Sequence, residues 1–472
     1  MTVRLPQEIE KTTELSLSAG LNKLATELRK LQNAPVPGNA PPAGMLHRLE
    51  AAVQPVDIFR WLQTAAAGKR VYWSERDGSF ESAGLGEADV VSFTEACDFR
   101  ELFRRLRRYS PGADNDFRYY GGIRFNPAQQ ADCDWQPFAS CRFTLPEIEL
   151  FQENGNYRVA CNLKLKPDNS PQDTIGRLLN KIQALRQHSN SSPSKLPAIL
   201  GRVDAPSPEQ WTVGIETALR AFREKRLQKV VLARKSSFLF AEKPNPLSIL
   251  EKLRAPAQNL FNFYFQPDPD HIYMGASPER LYFRRHNTVL SEAIAGTRPR
   301  SESTRKDLMW GAELQNCEKD VREHRYVVDY LRDAFQQFCR YYTCDDAPRL
   351  LKLTKVQHLF TGFEGQLKPD VCDDLLLSLL HPTPAVGGLP KQAAIKMVAA
   401  LEPFDRGWYT GPVGWVGKDS ASFAVAIRSG LVVKNNLHLF SGAGIVEGSQ
   451  PRSEWEEIEN KISNFLKVID AE

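Results

Sequence analysis

The residues best suited to chemistry gather near the C-terminal end of the chain, in the stretch SGAGIVEGSQPRSEWEEIENKISNFL from Ser441 to Leu466. A Gly-rich turn, Gly442, Ala443 and Gly444, closes an apolar run, and after Pro451 the pattern predicts a helix. On that helix Glu454, Glu457 and Lys461 stand at i, i+3 and i+7, so the helical period brings all three to roughly one face. Two carboxylates and an ammonium beside a glycine turn could hold a divalent cation together with an anionic ligand. A solvated acidic face with one ion pair has the same spacing, and for an isolated stretch it is the commoner use of it.

Other ionisable residues lie near strand ends and turns in the same half of the chain. Lys229 opens the apolar run KVVLARKSSFLF. Buried there, its desolvated amine would suit a general base, whereas a strand-opening lysine more often reaches solvent. Glu279, in SPER, falls at a kink; it is either a general acid whose pKa burial raises or an ion-pair partner of Arg280 or Arg298. Glu323 sits mid-helix with Asp320 one turn before it. It could meet Glu457 across a metal or line a solvated face. Arg428, among apolar strand residues, needs a carboxylate from a substrate or from the protein if it is buried. His358, in VQHLFTG, has the setting of a hydrogen-bonded core histidine more than of a catalytic one.

The elements that would carry these groups belong to a chain of 472 residues, long enough for a large core, with a formal charge of +4 spread without basic runs. Nothing in that balance points to nucleic acid or an anionic membrane. No run is long and apolar enough for a transmembrane helix, and the N-terminus lacks a signal-peptide apolar region, so a cytoplasmic enzyme or binding protein is expected. The eight cysteines form no CxxC pair and predict packed, reduced thiols rather than disulfides or a zinc site. GxGxxG, Walker A, HExxH and GxSxG patterns are all missing, which removes the usual nucleotide and serine-hydrolase readings.

Leu15, Leu21, Leu24, Leu28 and Leu31 predict a helix from about Glu8 to Leu31, and Asn33 to Gly44 reads as a Pro/Gly/Ala-rich connector. RYYGGIRFNP predicts a strand with a bulge at Gly121 and Gly122. A charged helix over Thr174 to Gln187 leads into a Ser/Pro-rich boundary from His188 to Pro197. Beyond it the patterns predict a helix over Pro208 to Lys225 and strands over Lys229 to Phe240, Phe261 to Gln266, His271 to Arg285 with a kink at Gly275 to Pro278, and Val289 to Arg300. One long helix is expected over Ser303 to Tyr341, then helices over Asp374 to Leu380 and Lys391 to Leu401. Strands follow over Gly407 to Gly417, Ser422 to Val433 and Asn436 to Val446. Strands in antiparallel groups separated by helices argue for an α+β fold. The division expected is 1–45 for the N-terminal helix and flexible connector, 46–200 for the N-terminal portion of the fold, and 201–472 for the catalytic region.

Together the motifs resemble a known family. KVVLAR, SPERL, EAIAGTRPR, REHRYVVDYL, VQHL, HPTPAVGG, DRGWYTGPVGW, FAVAIRSG and the GAGIV segment with its downstream EW, E and K occur in this order in the chorismate-utilising enzymes, a group that includes isochorismate, salicylate, anthranilate and aminodeoxychorismate synthases. The resemblance runs from about Gln228 to the C-terminus. Upstream, YGGIRF, Trp135, Phe138 and LPEIEL are similar to the isochorismate synthases, above all those of menaquinone biosynthesis.

The resemblance implies large, mostly antiparallel sheets sandwiched by helices, with the N-terminal part woven into the same fold. It implies Mg²⁺-dependent conversion of chorismate to isochorismate, with Lys229 as base and Glu279 as acid. Glu323 and Glu457 would be the Mg²⁺ carboxylates and Glu454 a neighbour in or next to the metal's shell. Arg428, the Gly442 N–H and Lys461 would bind carboxylate groups; Gly296 and Tyr409 would line the pocket, with His358 near the ring. HPTPAVGG, the presence of Lys229 and the lack of an amidotransferase segment favour water over ammonia as nucleophile, so no glutamine amidotransferase subunit is expected. Salicylate synthase, which goes on to eliminate pyruvate, and a siderophore-pathway isochorismate synthase are the alternatives. A monomer or weak homodimer is expected.

Overall fold

The computed structural model describes residues 14–33, 46–65, 68–107, 117–165, 170–187, 195–254, 259–353 and 356–470. Two antiparallel sheets lie face to face. The first, of 12 strands, runs Leu46–Ala52, Asn156–Lys164, Ile148–Glu153, Phe80–Leu85, Arg70–Ser74, Phe261–Asp268, His271–Ser277, Ser429–Val433, Asn436–Ile445, Lys229–Phe240 and Gly388–Leu389, with Ile199–Ala205 also on Lys229–Phe240. The second, of 10, runs Cys339–Cys344, Val356–Leu367, Thr288–Pro299, Arg280–Arg285, Ser420–Val425, Pro412–Val416, Tyr119–Ile123, Cys141–Leu145 and Asp89–Phe93, with Arg349–Lys352 also on Val356–Leu367. Strands from either side of residue 200 enter both sheets.

Between the sheets lies an aromatic core in which Trp73 and Tyr273 of one sheet share contacts with Tyr120 and Trp415 of the other. Trp135 meets Tyr273 edge-on at 5.1 Å, and Phe138 meets Trp408 at 5.2 Å. Such pairs each add roughly 0.5–1.5 kcal/mol beyond the area they bury. Helices cover the outer faces. On the first sheet, Leu17–Asn33 and the terminal helix Pro451–Ile469 contribute to one core, through Leu21, Leu24 and Leu28 and through Ile462, Phe465 and Ile469. On the second, Glu318–Phe338 packs Val327, Leu331, Phe335 and Phe338 against the strands. The fold is the α+β arrangement of helix-covered antiparallel sheets expected above.

Several local expectations change. The predicted helix over Ser303 to Tyr341 is two helices, Thr304–Asn316 and Glu318–Phe338, broken at the extended Cys317, and the chain then enters the strand Cys339–Cys344. Buried Gly311 and Leu314 lie on one helical stripe and buried Asp320, His324 and Val327 on another. Leu314 and Asp320 stand six residues apart, roughly 240° around an unbroken helix, so the break is what brings both stripes inward.

The run His271 to Arg285 leaves the first sheet at Ser277 and enters the second at Arg280. Ser422 to Val433 does the reverse, from Ser420–Val425 to Ser429–Val433. Glu279 and Arg428 therefore sit in the two crossings, and Arg428 lies outside the strand expected to hold it, with φ +50°. The segment Gly407 to Gly417 is a turn that becomes a strand only at Pro412–Val416.

The bulge expected at Gly121 and Gly122 is absent: both pair in unbroken register with Phe143 and Arg142. Glycine is needed there for close approach, since a Cβ on Gly121 would lie 1.9 Å from the Arg142 carbonyl oxygen and one on Gly122 2.5 Å from the Trp408 ring. The helix expected from Glu8 begins, within the described residues, at Leu17. The connector and most of the Ser/Pro boundary lie outside the described residues. All eight cysteines are free of disulfides.

Because the atom met by a Cβ on Gly121 is backbone, relief requires strands to part. Gly121→Ala is expected to cost about 1–3 kcal/mol of stability by urea denaturation, as overpacked sites do; an unchanged midpoint would contradict this close approach.

Candidate active site

Strand alternation sets the direction of the first residue. Along Lys229–Phe240, Val230 and Leu232 pack toward the covering helices, so Lys229, Val231 and Ala233 face the opposite way. Lys229 is fully buried, contrary to the habit of strand-opening lysines, and its Nζ donates to Glu323 Oε1 at 2.9 Å. Glu323 precedes His324 on Glu318–Phe338, at the margin of the buried stripe, and His324 Nε2 lies 2.9 Å from Thr361 Oγ1. Gly444 makes room for this pair: a Cβ there would fall 2.2 Å from Glu323 Oε1 and 3.2 Å from Lys229 Cε.

On the terminal helix, buried Glu454, Ile458 and Ile462 face the sheet, which turns Glu457 and Lys461 toward a cavity of about 820 Å³. Lys461 Nζ donates to the Gly442 carbonyl at 2.8 Å and pairs with Glu457 at 2.7 Å. Burial opposes charge on Lys461, but Glu457, Glu323 and Glu454 outweigh it and raise its pKa. Burial likewise opposes charge on Glu457, and Lys461, Lys319 and Lys229 reverse the effect and lower its pKa. Glu454 turns away from the cavity to meet Lys319 at 2.7 Å; its other oxygen is buried without a hydrogen-bond partner, and burial raises its pKa. Three carboxylates thus alternate with three lysines. Among the described residues no group of three potential metal-ligating side chains converges, each of these glutamates being turned to an ammonium.

The opposite side of the cavity is built on the two sheet crossings. Glu279 is buried, and its pKa is pushed up to about 8, by burial first and then by the Glu292 carboxylate, against the pull of Lys229 and Lys461. It is not the partner of Arg280 or Arg298: Arg298 pairs with Glu313 and Asp320, both at 2.9 Å, and the Arg280 guanidinium approaches Glu75. Arg428 Nη2 lies 3.1 Å from His358 Nε2. A guanidinium only donates, so Nε2 accepts and the His358 proton sits on Nδ1, which donates to the Gly296 carbonyl at 2.9 Å. Burial, then Arg428, lowers the His358 pKa to about 3, which keeps the ring neutral.

Burial alone lowers the Arg428 pKa, to about 10, and among the described residues no carboxylate pairs with it. A half-buried cation without a counter-ion is costly, and here it borders open space that an anion can fill. Gly296, Tyr409 and Gly442 complete the walls. Of the residues singled out from the sequence, Lys229 and Glu454 alone do not border the cavity, and each is bonded to a residue that does. Sequence reasoning missed Lys319, Arg76 and Glu292. A lysine in a charged helix carries no distinguishing signal, and Arg76 and Glu292 meet across 216 positions of sequence. A smaller cavity of about 420 Å³ beneath Pro171–Gln187 has Lys69 and Lys181 already bonded to Glu87 and Glu147.

The chain matches the family model described as "Chorismate binding enzyme" over residues 32–470. It is 31% identical to isochorismate synthase 2, chloroplastic, of Arabidopsis thaliana, over 98% of this chain and 86% of that protein. It is 30% identical to the isochorismate synthase MenF of Bacillus subtilis (strain 168), over 89% and 92% of the respective chains. The solved structure of MenF, the menaquinone-specific isochorismate synthase of Escherichia coli, superimposes with a TM-score of 0.83 at 28% identity, covering 96% of this chain and 99% of that one.

The raised pKa of Glu279 carries a stability cost with a definite sign. While both folded and unfolded states are protonated there is none; the cost grows as pH rises above the ordinary 4.5 and is complete above about 8. Glu279→Gln should therefore match the parent near pH 4 and exceed it by on the order of a few kcal/mol near pH 9 in denaturant titrations. Equal stability at the higher pH would place Glu279 in a polar setting.

Proposed function

The chain belongs to the chorismate-binding enzyme family, and we propose that it is an isochorismate synthase acting in menaquinone biosynthesis. The observation that carries the proposal is Glu279, a carboxyl group that burial keeps protonated up to about pH 8, in one cavity with Arg428, which no carboxylate among the described residues meets, and with Glu323, the partner of the buried Lys229. The reaction adds water at C2 of chorismate while the C4 hydroxyl leaves, with the ring double bonds shifting between them. Water must lose a proton and the departing hydroxyl must gain one, so the site needs a base and an acid at the same moment. Lys229 serves as the base that takes the proton from water. Glu279 gives its proton to the C4 oxygen, which departs as water.

Arg428 and Lys461 hold the substrate's carboxylates, and Arg428 gains the counter-ion that the fold leaves out. The neutral His358 orients Arg428 by accepting from it and is fixed in turn by the Gly296 carbonyl. Glu323 and Glu457, with Glu454 beside them, are the residues that would hold Mg²⁺. Their donor set is all carboxylate oxygen, as a hard cation prefers. The absence of a Cβ at Gly444 gives the Glu323 carboxylate its room at the edge of the cavity, which Glu457 also borders. When bound, Mg²⁺ would supply neutralisation of charge at the ring carboxylate. Likeness to the menaquinone-specific enzyme along nearly the whole chain supports the choice of pathway.

Purified protein given chorismate and Mg²⁺ should yield isochorismate as the main product by chromatography. Salicylate with pyruvate would replace this reading with a salicylate synthase, and no conversion would remove it. Lys229→Ala and Glu279→Gln should each lower kcat by about 10²–10⁴ while chorismate still binds; parental rates in either would overturn its role. Glu457→Gln should raise the Mg²⁺ concentration needed for half-maximal rate at least about tenfold, and an unchanged titration would take Glu457 out of the metal site.

A further inference from the structure

The crossing that carries Glu279 is braced from the N-terminal half of the chain. Arg76 lies in the turn after the strand Arg70–Ser74. Its Nη1 donates to the Pro278 carbonyl at 3.0 Å, and its two terminal nitrogens grip Glu292 in a fork at 2.6 and 2.5 Å. Glu292 Oε1 also accepts from the Arg280 backbone N–H at 2.9 Å. The peptide groups before and after Glu279 are therefore both tied to one partly buried ion pair. The guanidinium lies over the Phe261 ring at 5.4 Å, which limits its motion from the first-sheet side. Neighbouring Glu75 accepts from the indoles of Trp73 and Trp415, anchoring the turn itself.

We infer that Arg76 is a positioning residue for the general acid: through Glu292 and the Pro278 carbonyl it fixes where the Glu279 carboxyl stands and which charge it faces. The inference rests on Glu279 being the acid of the proposed reaction. The charged groups facing Glu279 are Glu292 from Thr288–Pro299, Lys229 from Lys229–Phe240 and Lys461 from the terminal helix, with Arg76 bonded to Glu292 behind it. Arg76 compensates the charge of Glu292, so its loss raises the proton affinity of Glu279. Loss of the Glu292 charge lowers it. Purely structural damage has no reason to move the two variants in opposite directions.

The test compares Arg76→Gln, Arg76→Lys and Glu292→Gln with the parent in full-length protein, in two measurements. In steady-state kinetics with chorismate, Arg76→Gln should lose roughly 10- to 100-fold in kcat with KM within about threefold, and Arg76→Lys should recover part of the loss. The alkaline limb of the rate profile should move up by about one pH unit in Arg76→Gln and down in Glu292→Gln. Independently of turnover, the infrared carboxylic-acid band that vanishes in Glu279→Gln should titrate with the same two opposite shifts. Parental kcat in Arg76→Gln, or one band titration shared by all variants, overturns the inference. If Arg76→Gln does not fold, Arg76→Lys and Glu292→Gln decide by the same criteria. A parent that does not turn over chorismate defeats the proposed reaction, and the band titration still decides whether Arg76 and Glu292 govern Glu279.

Discussion

Two backbone hydrogen bonds join the places where the chain passes from one sheet to the other: Ala276 N–H to the Arg428 carbonyl at 3.1 Å, and Val425 N–H to the Glu279 carbonyl at 3.0 Å. At such crossings the backbone leaves one ladder before entering the next, so side chains can depart from strict alternation. Arg428 uses this freedom in its left-handed conformation, which a residue with a Cβ adopts only when its surroundings impose it. An arginine that meets no carboxylate among the described residues and a carboxyl that holds its proton are thereby fixed relative to one another by main-chain bonds. The aromatic core between the sheets keeps the crossings rigid, and the wall carrying Lys229, Glu323 and Lys461 is assembled against them.

That wall is electrostatically self-contained. Glu323, Glu454 and Glu457 each have a lysine, and on Lys461 and Glu457 the neighbouring charges reverse what burial alone would do to proton affinity. The crossings are arranged in the opposite way, with an arginine that no carboxylate among the described residues meets and a carboxyl lacking its proton's usual reason to leave. Balance on one wall and imbalance on the other make the cavity asymmetric, with Arg428 and the protonated Glu279 both bordering its unbalanced side.

The sequence was most informative where function follows a local period. Glu457 and Lys461 lie on the face predicted from spacing, and Asn436–Ile445 and Lys229–Phe240 form nearly as their patterns require. Patterns failed where a tertiary decision leaves no local trace. In HIYMGASPERLYFRR the kink expected at Gly275 to Pro278 falls at the crossing, but apolar residues continue on both sides of it, as they do in SFAVAIRSGLVV, so nothing in either run shows that the strand beyond joins the other sheet. The break at Cys317 re-phases two buried stripes whose partners are distant strands. Arg76 and Glu292 are ordinary charged residues until the fold brings them together, and burial of Lys229 depends on Glu323 from a helix almost a hundred residues away. The resemblance carried the catalytic expectations, and burial, pairing and the Glu279 shift supply the physical reasons for them.

The proposed reaction has Lys229 activating a water molecule while Glu279 releases the C4 hydroxyl. It is tested most directly by running the reaction to low conversion in H₂¹⁸O and locating the label in isochorismate by mass spectrometry. The account predicts one heavy oxygen, at C2, in essentially every product molecule. Unlabelled isochorismate, its hydroxyl carried from C4 to C2 within the substrate, would contradict it.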